Sequence, residues 1–319
     1  MKLGVVILNW NGKDVTPRCL DSLYLGTHPP DLVVVVDNAS ADGSAELVHK
    51  QFPQAELIRN DSNLGFAEGC NVGMRVLLER GFELILLLNN DAVVDPECLG
   101  ALKGAADRCP AAAYGATIYE MAKPGRIWYA GGTISRLTLD ARHDLEPPSP
   151  GENPRSTGFI TGCCVMIRAD ALRQLGLLEK AFFAYYEDVD WCLRARAAGE
   201  VLLYVPDAIV RHEVSHSFRK SGGEQKGYPF YRWMQSSPLT LYLAYRNRLL
   251  LVRIHVRGRL HLAFLVVRRL ARGALHCAML ISFGRRRQAR AVVDGTLDGL
   301  LQSPRPARLA RYLAFPWRE

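Results

Sequence analysis

The sequence predicts an α/β fold of Rossmann-like type, a mostly parallel sheet flanked by helices, followed by a basic helical extension. Two observations predict the sheet. Apolar runs without polar alternation recur at residues 3–8, 32–36 and 84–88, and such runs suit strands buried on both faces. Each stops abruptly in polar residues, and stretches of helical periodicity lie between them, which implies right-handed βαβ crossovers. Because open α/β sheets bind ligands at their carboxyl edge, the polar ends Trp10, Asp37 and Asn89-Asn90-Asp91 converge on one candidate site.

The first strand, Leu3 to Leu8, runs into Asn9-Trp10-Asn11-Gly12. Val15, Cys19, Leu20 and Leu23 then mark a helix over about Asp14 to Leu25. The second strand, Leu32 to Val36, is closed by Asp37 to Ser44, and a helix over Ala45 to Phe52 leads to a short strand at Glu56 to Ile58. Asn60 to Asn71 is a loop entering another helix. Within it, Asn63-Leu64-Gly65-Phe66 and the residues up to Gly73 read either as a plain glycine loop or as a turn whose free helix amides favour diphosphate. Leu84 to Leu88 is the fourth strand. Its Asn89-Asn90-Asp91 end is either an Asn/Asp turn or the point where a carboxylate meets a divalent cation and amides meet ribose or phosphate. Tyr119 to Pro154, with Trp128 in it, lacks a period; such a loop connects elements over the surface, covers the site or receives the acceptor.

Phe182 to Trp191 leads into a helix on which Val189, Cys192, Leu193 and Arg196 recur. Glu187, Asp188 and Asp190 in its first turn suit the helix dipole. The neighbouring Phe182, Phe183, Tyr185 and Tyr186 would also shield a carboxylate and raise its pKa toward a base's working range. Val201 to Val205 is a further strand, and His212 follows it. An imidazole joining an oxygen-rich site at Asp91 fits Mn²⁺ or Mg²⁺ better than Zn²⁺.

From Ser237 onward there are 16 Arg, no Lys and three acids, a charge of +13, whereas the residues before it sum to −5. The basic character therefore belongs to the tail. Apolar residues there recur in a helical rhythm from Leu239 to about Phe283. Arg268, Arg269 and Arg272 interrupt the run, which opposes a spanning helix. An interfacial amphipathic pair on an anionic membrane surface is expected, with a helical pair packed on the first domain as the competing arrangement. The eight cysteines form no CxxC pair, so neither a zinc site nor a disulfide framework is expected, and no secretory signal opens the chain. Reduced thiols and the basic tail imply a cytoplasmic protein, peripheral on the inner face of the membrane. No stacking motif or reading helix accompanies Arg285-Arg286-Arg287, so nucleic acid is not an expected partner.

Taken together, Val5 to Asn11, Val36-Asp37-Asn38-Ala39-Ser40, Asn63-Leu64-Gly65-Phe66, Leu88 to Asp91, Thr161-Gly162, Phe183 to Asp190, His212 with Ser215, and Tyr245-Arg246-Asn247-Arg248 resemble the inverting glycosyltransferases of family two, which have the GT-A fold. The likeness is strongest to the bacterial rhamnosyltransferase-like branch. The resemblance implies transfer of a sugar, rhamnose from dTDP-rhamnose before others, from a dTDP or UDP donor to a glycan or lipid-linked acceptor. It implies Asp188 as general base, Asp91 and His212 on Mg²⁺ or Mn²⁺, and Trp10, Asp37, Asn63, Gly65, Asn89 and Asn90 around the nucleotide. Trp128, Glu187, Asp190 and Trp191 take acceptor-side or supporting places. Asn89 stands where many relatives carry an Asp, and an amide is the poorer metal ligand. The expected division is a catalytic domain over 1–236 and a basic helical extension over 237–319. A sugar-nucleotide nucleotidyltransferase and a non-catalytic membrane or nucleic-acid adaptor are the alternatives.

Overall fold

The computed structural model describes residues 1–149, 151–213, 236–301 and 306–313. The chain divides into two compact units, the first of Met1–Phe183 and Glu187–Val214, the second of Ala184–Tyr186 and Ser215–Glu319.

In the first unit, β1 (Leu3–Asn9), α1 (Thr16–Tyr24), β2 (Leu32–Asp37), α2 (Ser44–Gln51), β3 (Glu56–Arg59), α3 (Gly65–Glu79) and β4 (Leu84–Asn89) alternate. Their strands pair in parallel in the order β4-β1-β2-β3. The interior strands are buried along nearly their whole length, which is why their sequences show no polar alternation. The chain continues through β5 (Ala92–Val94), α4 (Cys98–Arg108), β6 (Ala113–Glu120), β7 (Ile127–Tyr129), β8 (Gly132–Ile134), β9 (Ala141–His143), β10 (Arg155–Ser156) and β11 (Cys164–Arg168). It closes with α5 (Ala169–Leu175), α6 (Glu187–Ala197) and β12 (Leu202–His212). β11 runs antiparallel between β4 and β6, and β12 lies parallel to β6.

Two expectations are corrected here, and one of the two readings of the glycine-rich segment is set aside. Residues 119–154 are not an irregular loop but hold β7, β8 and β9, whose three residues each are too few to show a period. The strand expected at Val201 to Val205 extends to His212, because a register shift between Val205 and Ile209 absorbs Pro206, and pairing resumes beyond it. The glycine-rich segment is not an open anion cradle. Gly69 and Gly73 lie inside α3, where a Cβ would come 2.4 Å from Leu8 and 2.6 Å from Val6, so they bring the helix down onto β1. The amides at the helix start are also engaged: Leu64 N–H donates to Asn38, Gly65 N–H to Asn63 and Ala67 N–H to the Phe183 carbonyl.

The second unit is helical: α7 (Pro238–His255), α8 (Arg259–Ser282), α9 (Arg286–Leu301) and α10 (Pro306–Leu313). Ser237 caps α7 by accepting the Thr240 N–H at 3.1 Å, as an N-cap serine does. α9 packs directly on α7, for a Cβ on Gly295 would lie 2.3 Å from the Tyr242 carbonyl oxygen and one on Gly299 2.8 Å from that of Arg246. Among the described residues no helix is long and apolar enough to cross a membrane.

Filling the α3–β1 interface should overpack it. Gly73→Leu is expected to lower the unfolding free energy by about 1–3 kcal/mol, read from the urea midpoint at unchanged slope.

Candidate active site

Strand register assembles the site. Pairing of Asn9 with Asp37 and of Leu8 with Asn89 aligns three strand ends at one edge of the sheet. Asn9, fully buried, ties them together: its Nδ2 donates to Asp37 Oδ1 (2.7 Å) and Ser44 Oγ (2.8 Å), while its Oδ1 accepts from Thr16 Oγ1 (2.7 Å). Thr16 in turn accepts from Asn90 Nδ2 at 3.0 Å. Asp37 is buried, and its second oxygen accepts the Ser40 N–H. Asn63 Oδ1 accepts from Asn38 and from the Gly65 N–H. Gly65 has φ +82° and rests against Phe183, so Asp37, Asn63 and Gly65 form the frame of the edge. Trp10 is partly exposed at the end of β1.

Antiparallel pairing of β5 with β12 sets His212 opposite Ala92, the residue after Asp91. His212 Nε2 lies 3.0 Å from Asp91 Oδ1 and 3.5 Å from Asn89 Nδ2. His212 Nδ1 and Asn89 Oδ1 are buried with no hydrogen-bond partner among the described residues. Trp128 packs edge-on against His212 with ring centroids 5.0 Å apart. Ser215, expected beside His212, lies outside the described residues.

Asp188, in the first turn of α6, accepts the Gly162 N–H at 2.9 Å and the Val189 N–H at 2.8 Å. Burial pushes its pKa up, against the opposing pull of those N–H groups and of nearby His143. Glu187 beside it is buried with Oε2 unpartnered, and burial followed by the charge of Asp188 raises its pKa well above the usual range. The crevice at Asp188 is lined by Phe66, Ile160, Leu178, Trp191 and Cys192; of the aromatics that precede it in the chain, Phe182 is buried and Tyr185 is half exposed. Asp190 forms an ion pair with Arg194 at 2.9 Å, and Trp191 Nε1 donates to the Gly176 carbonyl; both anchor α6.

A backbone route joins the acids, and a chain of rings leads from Asp91 as far as His143. The Asn89 N–H donates to the Cys163 carbonyl, and the adjacent Gly162 N–H holds Asp188. On the other side Asp91 meets His212, His212 meets Trp128, and Trp128 meets His143 with centroids 4.6 Å apart. His143 and Asn9 escaped sequence reasoning. His143 sits on a three-residue strand with no motif around it, and Asn9 reads as an ordinary strand end. The Trp128 carbonyl 2.9 Å from His143 Nδ1 can only accept, so the proton is on Nδ1. Burial lowers the pKa of this imidazole, and its Nε2 has no hydrogen-bond partner among the described residues.

The chain is 29% identical over 238 residues to an N-acetylglucosaminyl-diphospho-decaprenol L-rhamnosyltransferase of Mycobacterium tuberculosis, covering 67% of this chain and 77% of the relative. It is 25% identical over 225 residues to the dTDP-rhamnosyl transferase RfbF of Shigella flexneri, covering 69% and 70%. Its fold is that of the S. aureus TarS fragment 1–349 solved with UDP-GlcNAc (TM-score 0.56, 15% identity, 98% of this chain and 84% of that one). The sequence model of Glycosyl transferase family 2 matches residues 4–176, more than half of the 319. The nucleotidyltransferase and adaptor readings are thereby set aside: the chain belongs to glycosyl transferase family 2 and is a glycosyltransferase.

Proposed function

We propose that the protein is an inverting glycosyltransferase moving rhamnose from a dTDP donor to a hydroxyl of a glycan or lipid-linked acceptor, with Asp188 as general base. The observation that carries this reading is the meeting of Asp188 with the Asp91–His212 pair at one sheet edge through Asn89, Cys163 and Gly162. The donor is inferred from the two rhamnosyltransferase relatives.

The base needs a pKa closer to neutral than an ordinary carboxylate has, and a fixed direction of attack. Burial supplies the first and the Gly162 and Val189 amides the second. One displacement at the anomeric carbon requires one base, so no nucleophilic carboxylate is assigned, in contrast to the covalent route of retaining hydrolases. The acceptor oxygen gives its proton to Asp188 as it bonds to the anomeric carbon, and the bond from that carbon to the diphosphate oxygen breaks.

Asp91 Oδ1 and His212 Nε2, 3.0 Å apart, would hold a divalent cation; a carboxylate with one imidazole suits Mn²⁺ or Mg²⁺. Such an ion supplies neutralisation of the charge that develops on the leaving diphosphate. Trp10 offers a partly exposed face for the base, Asn89 and Asn90 serve the ribose side, and Asp37, Asn63 and Gly65 hold the loops that frame them. His143 Nε2 accepts a sugar hydroxyl beside Trp128.

With dTDP-rhamnose, Mn²⁺ and a lipid-linked N-acetylglucosamine acceptor, the wild type should release dTDP, and Asp188→Asn should do so about 10²- to 10⁴-fold more slowly. Equal turnover by both removes the base from its role. His143→Phe preserves ring packing but not the acceptor nitrogen, and is expected to raise KM for one sugar substrate about tenfold; His143→Gln should recover part of the loss. Glu187 gives a pH signature. A carboxyl whose pKa is raised on folding stabilises fully below its ordinary value of 4.5 and loses that contribution as pH rises through the raised value. The unfolding free energy of the wild type, from urea midpoints, should therefore fall relative to that of Glu187→Gln as pH increases above 4.5, by up to about 1.4 kcal/mol per pH unit. The opposite trend would make Glu187 a paired carboxylate.

A further inference from the structure

Among its described residues the second unit buries its carboxylates, whereas many of its arginines are exposed. Its only carboxylates among the described residues are Asp294 and Asp298, and both are buried. Tyr312 O–H donates to Asp294 at 2.7 Å, while Tyr242 O–H at 2.8 Å and Arg308 at 2.7 Å serve Asp298. By contrast Arg257, Arg259, Arg272 and Arg285 to Arg287 are exposed.

Along α8, Leu260, Phe264, Val267, Leu275 and Ile281 are 89%, 53%, 64%, 64% and 57% exposed. Ala271, Ala274 and Ala278, between them at the same pitch, are exposed as well. At 3.6 residues per turn these positions share about one third of the helix circumference and run its length of about 36 Å. Arg268 and Arg272 stand on one flank of the stripe and Arg259 on the other, and Arg285 to Arg287 follow its carboxyl end.

We propose that α8 is a membrane-surface helix, its stripe seated among the acyl chains of an anionic bilayer and its flanking arginines on the lipid phosphates. Interfacial helices insert an apolar face to about 5–10 Å and pair a basic flank with anionic headgroups, and guanidinium binds phosphate in bidentate fashion. A second copy of the chain meeting this stripe would bring like-charged flanks together. Nucleic acid would answer the arginines but leave the apolar stripe in water. The surface goes beyond the proposed transfer, in that it brings the enzyme to where a lipid-linked acceptor resides.

The test is flotation of the full-length chain with vesicles of phosphatidylcholine and phosphatidylglycerol at 7:3, and with phosphatidylcholine alone. The chain should float with the anionic vesicles. The double variant Phe264→Asp/Val267→Asp, altered only at exposed positions, should lose at least tenfold in partitioning with an unchanged melting temperature. Replacing Arg285, Arg286 and Arg287 by Ser should weaken binding and flatten its dependence on salt. The proposal is overturned if the wild type stays unbound, if it floats equally with neutral vesicles, or if the double variant still floats. It is also overturned if the aspartates change only the oligomeric state or only retention on a nucleic-acid column. Flotation has no catalytic readout, so a chain that floats without releasing nucleoside diphosphate defeats the transfer reading alone, and the converse result defeats this one alone.

Discussion

The turn formed by Gly162 and Cys163 is the constraint on which the site depends. β11 is inserted antiparallel beside β4, so the residues just before it pass the end of the central strand. There the Cys163 carbonyl accepts the Asn89 N–H, while the Gly162 N–H reaches the other way to Asp188. Two neighbouring peptide groups thus span the interval between the strand-end polar residues and the first turn of α6. Each bond involves a backbone group, so the spacing is set by the sheet and not by flexible side chains. A Cβ at Gly162 would stand 3.5 Å from Phe66 and 3.6 Å from Asp188, ordinary contact distances, so it is the backbone bonds and not a steric demand for glycine that fix this passage.

A second constraint acts on the opposite flank. Asp91 and His212 are distant in sequence and come within 3.0 Å because β5 folds back and pairs with the end of β12. The irregularity between Val205 and Ile209 decides where β12 ends. Without it the pleat would turn His212 to the other face of the sheet, since side chains alternate along a strand.

The parallel half of the fold was legible because β1, β2 and β4 are buried on both faces and their polar ends are abrupt. Asp91, Asp188 and His212 were legible because each follows or opens a strongly patterned element. What escaped was set by other physics. The stretch up to Gly73 left a plain loop and a diphosphate turn open, whereas Gly69 and Gly73 answer to helix–strand packing, which one strand's sequence does not reveal. The crevice beside Asp188 is lined by Phe66, Ile160 and Leu178, which arrive from three other segments and carry no signal near Asp188 in the chain. His143 reaches the site on a hairpin of three-residue strands, below the length at which periodicity carries information. In the tail, helical rhythm and charge were plain, but burial of Asp294 and Asp298 under tyrosines is a tertiary fact.

The approach to α6 carries backbone strain that needs a cause. Phe183, Tyr185 and Tyr186 have φ of 65°, 70° and 74°, a region that bulky residues enter only at a cost of about 1–3 kcal/mol each. Within the second unit, Asn247 Nδ2 donates to the carbonyls of both Ala184 and Tyr185 at 2.8 Å, and Arg248 bonds the Tyr186 hydroxyl. Asn247 is fully buried, so these bonds form away from water and offset part of the strain. The residue after Tyr186 is Glu187, where α6 begins. Of these strained positions Tyr185 and Tyr186 belong to the second unit, and there the bonds from Asn247 and Arg248 keep the chain from relaxing out of them.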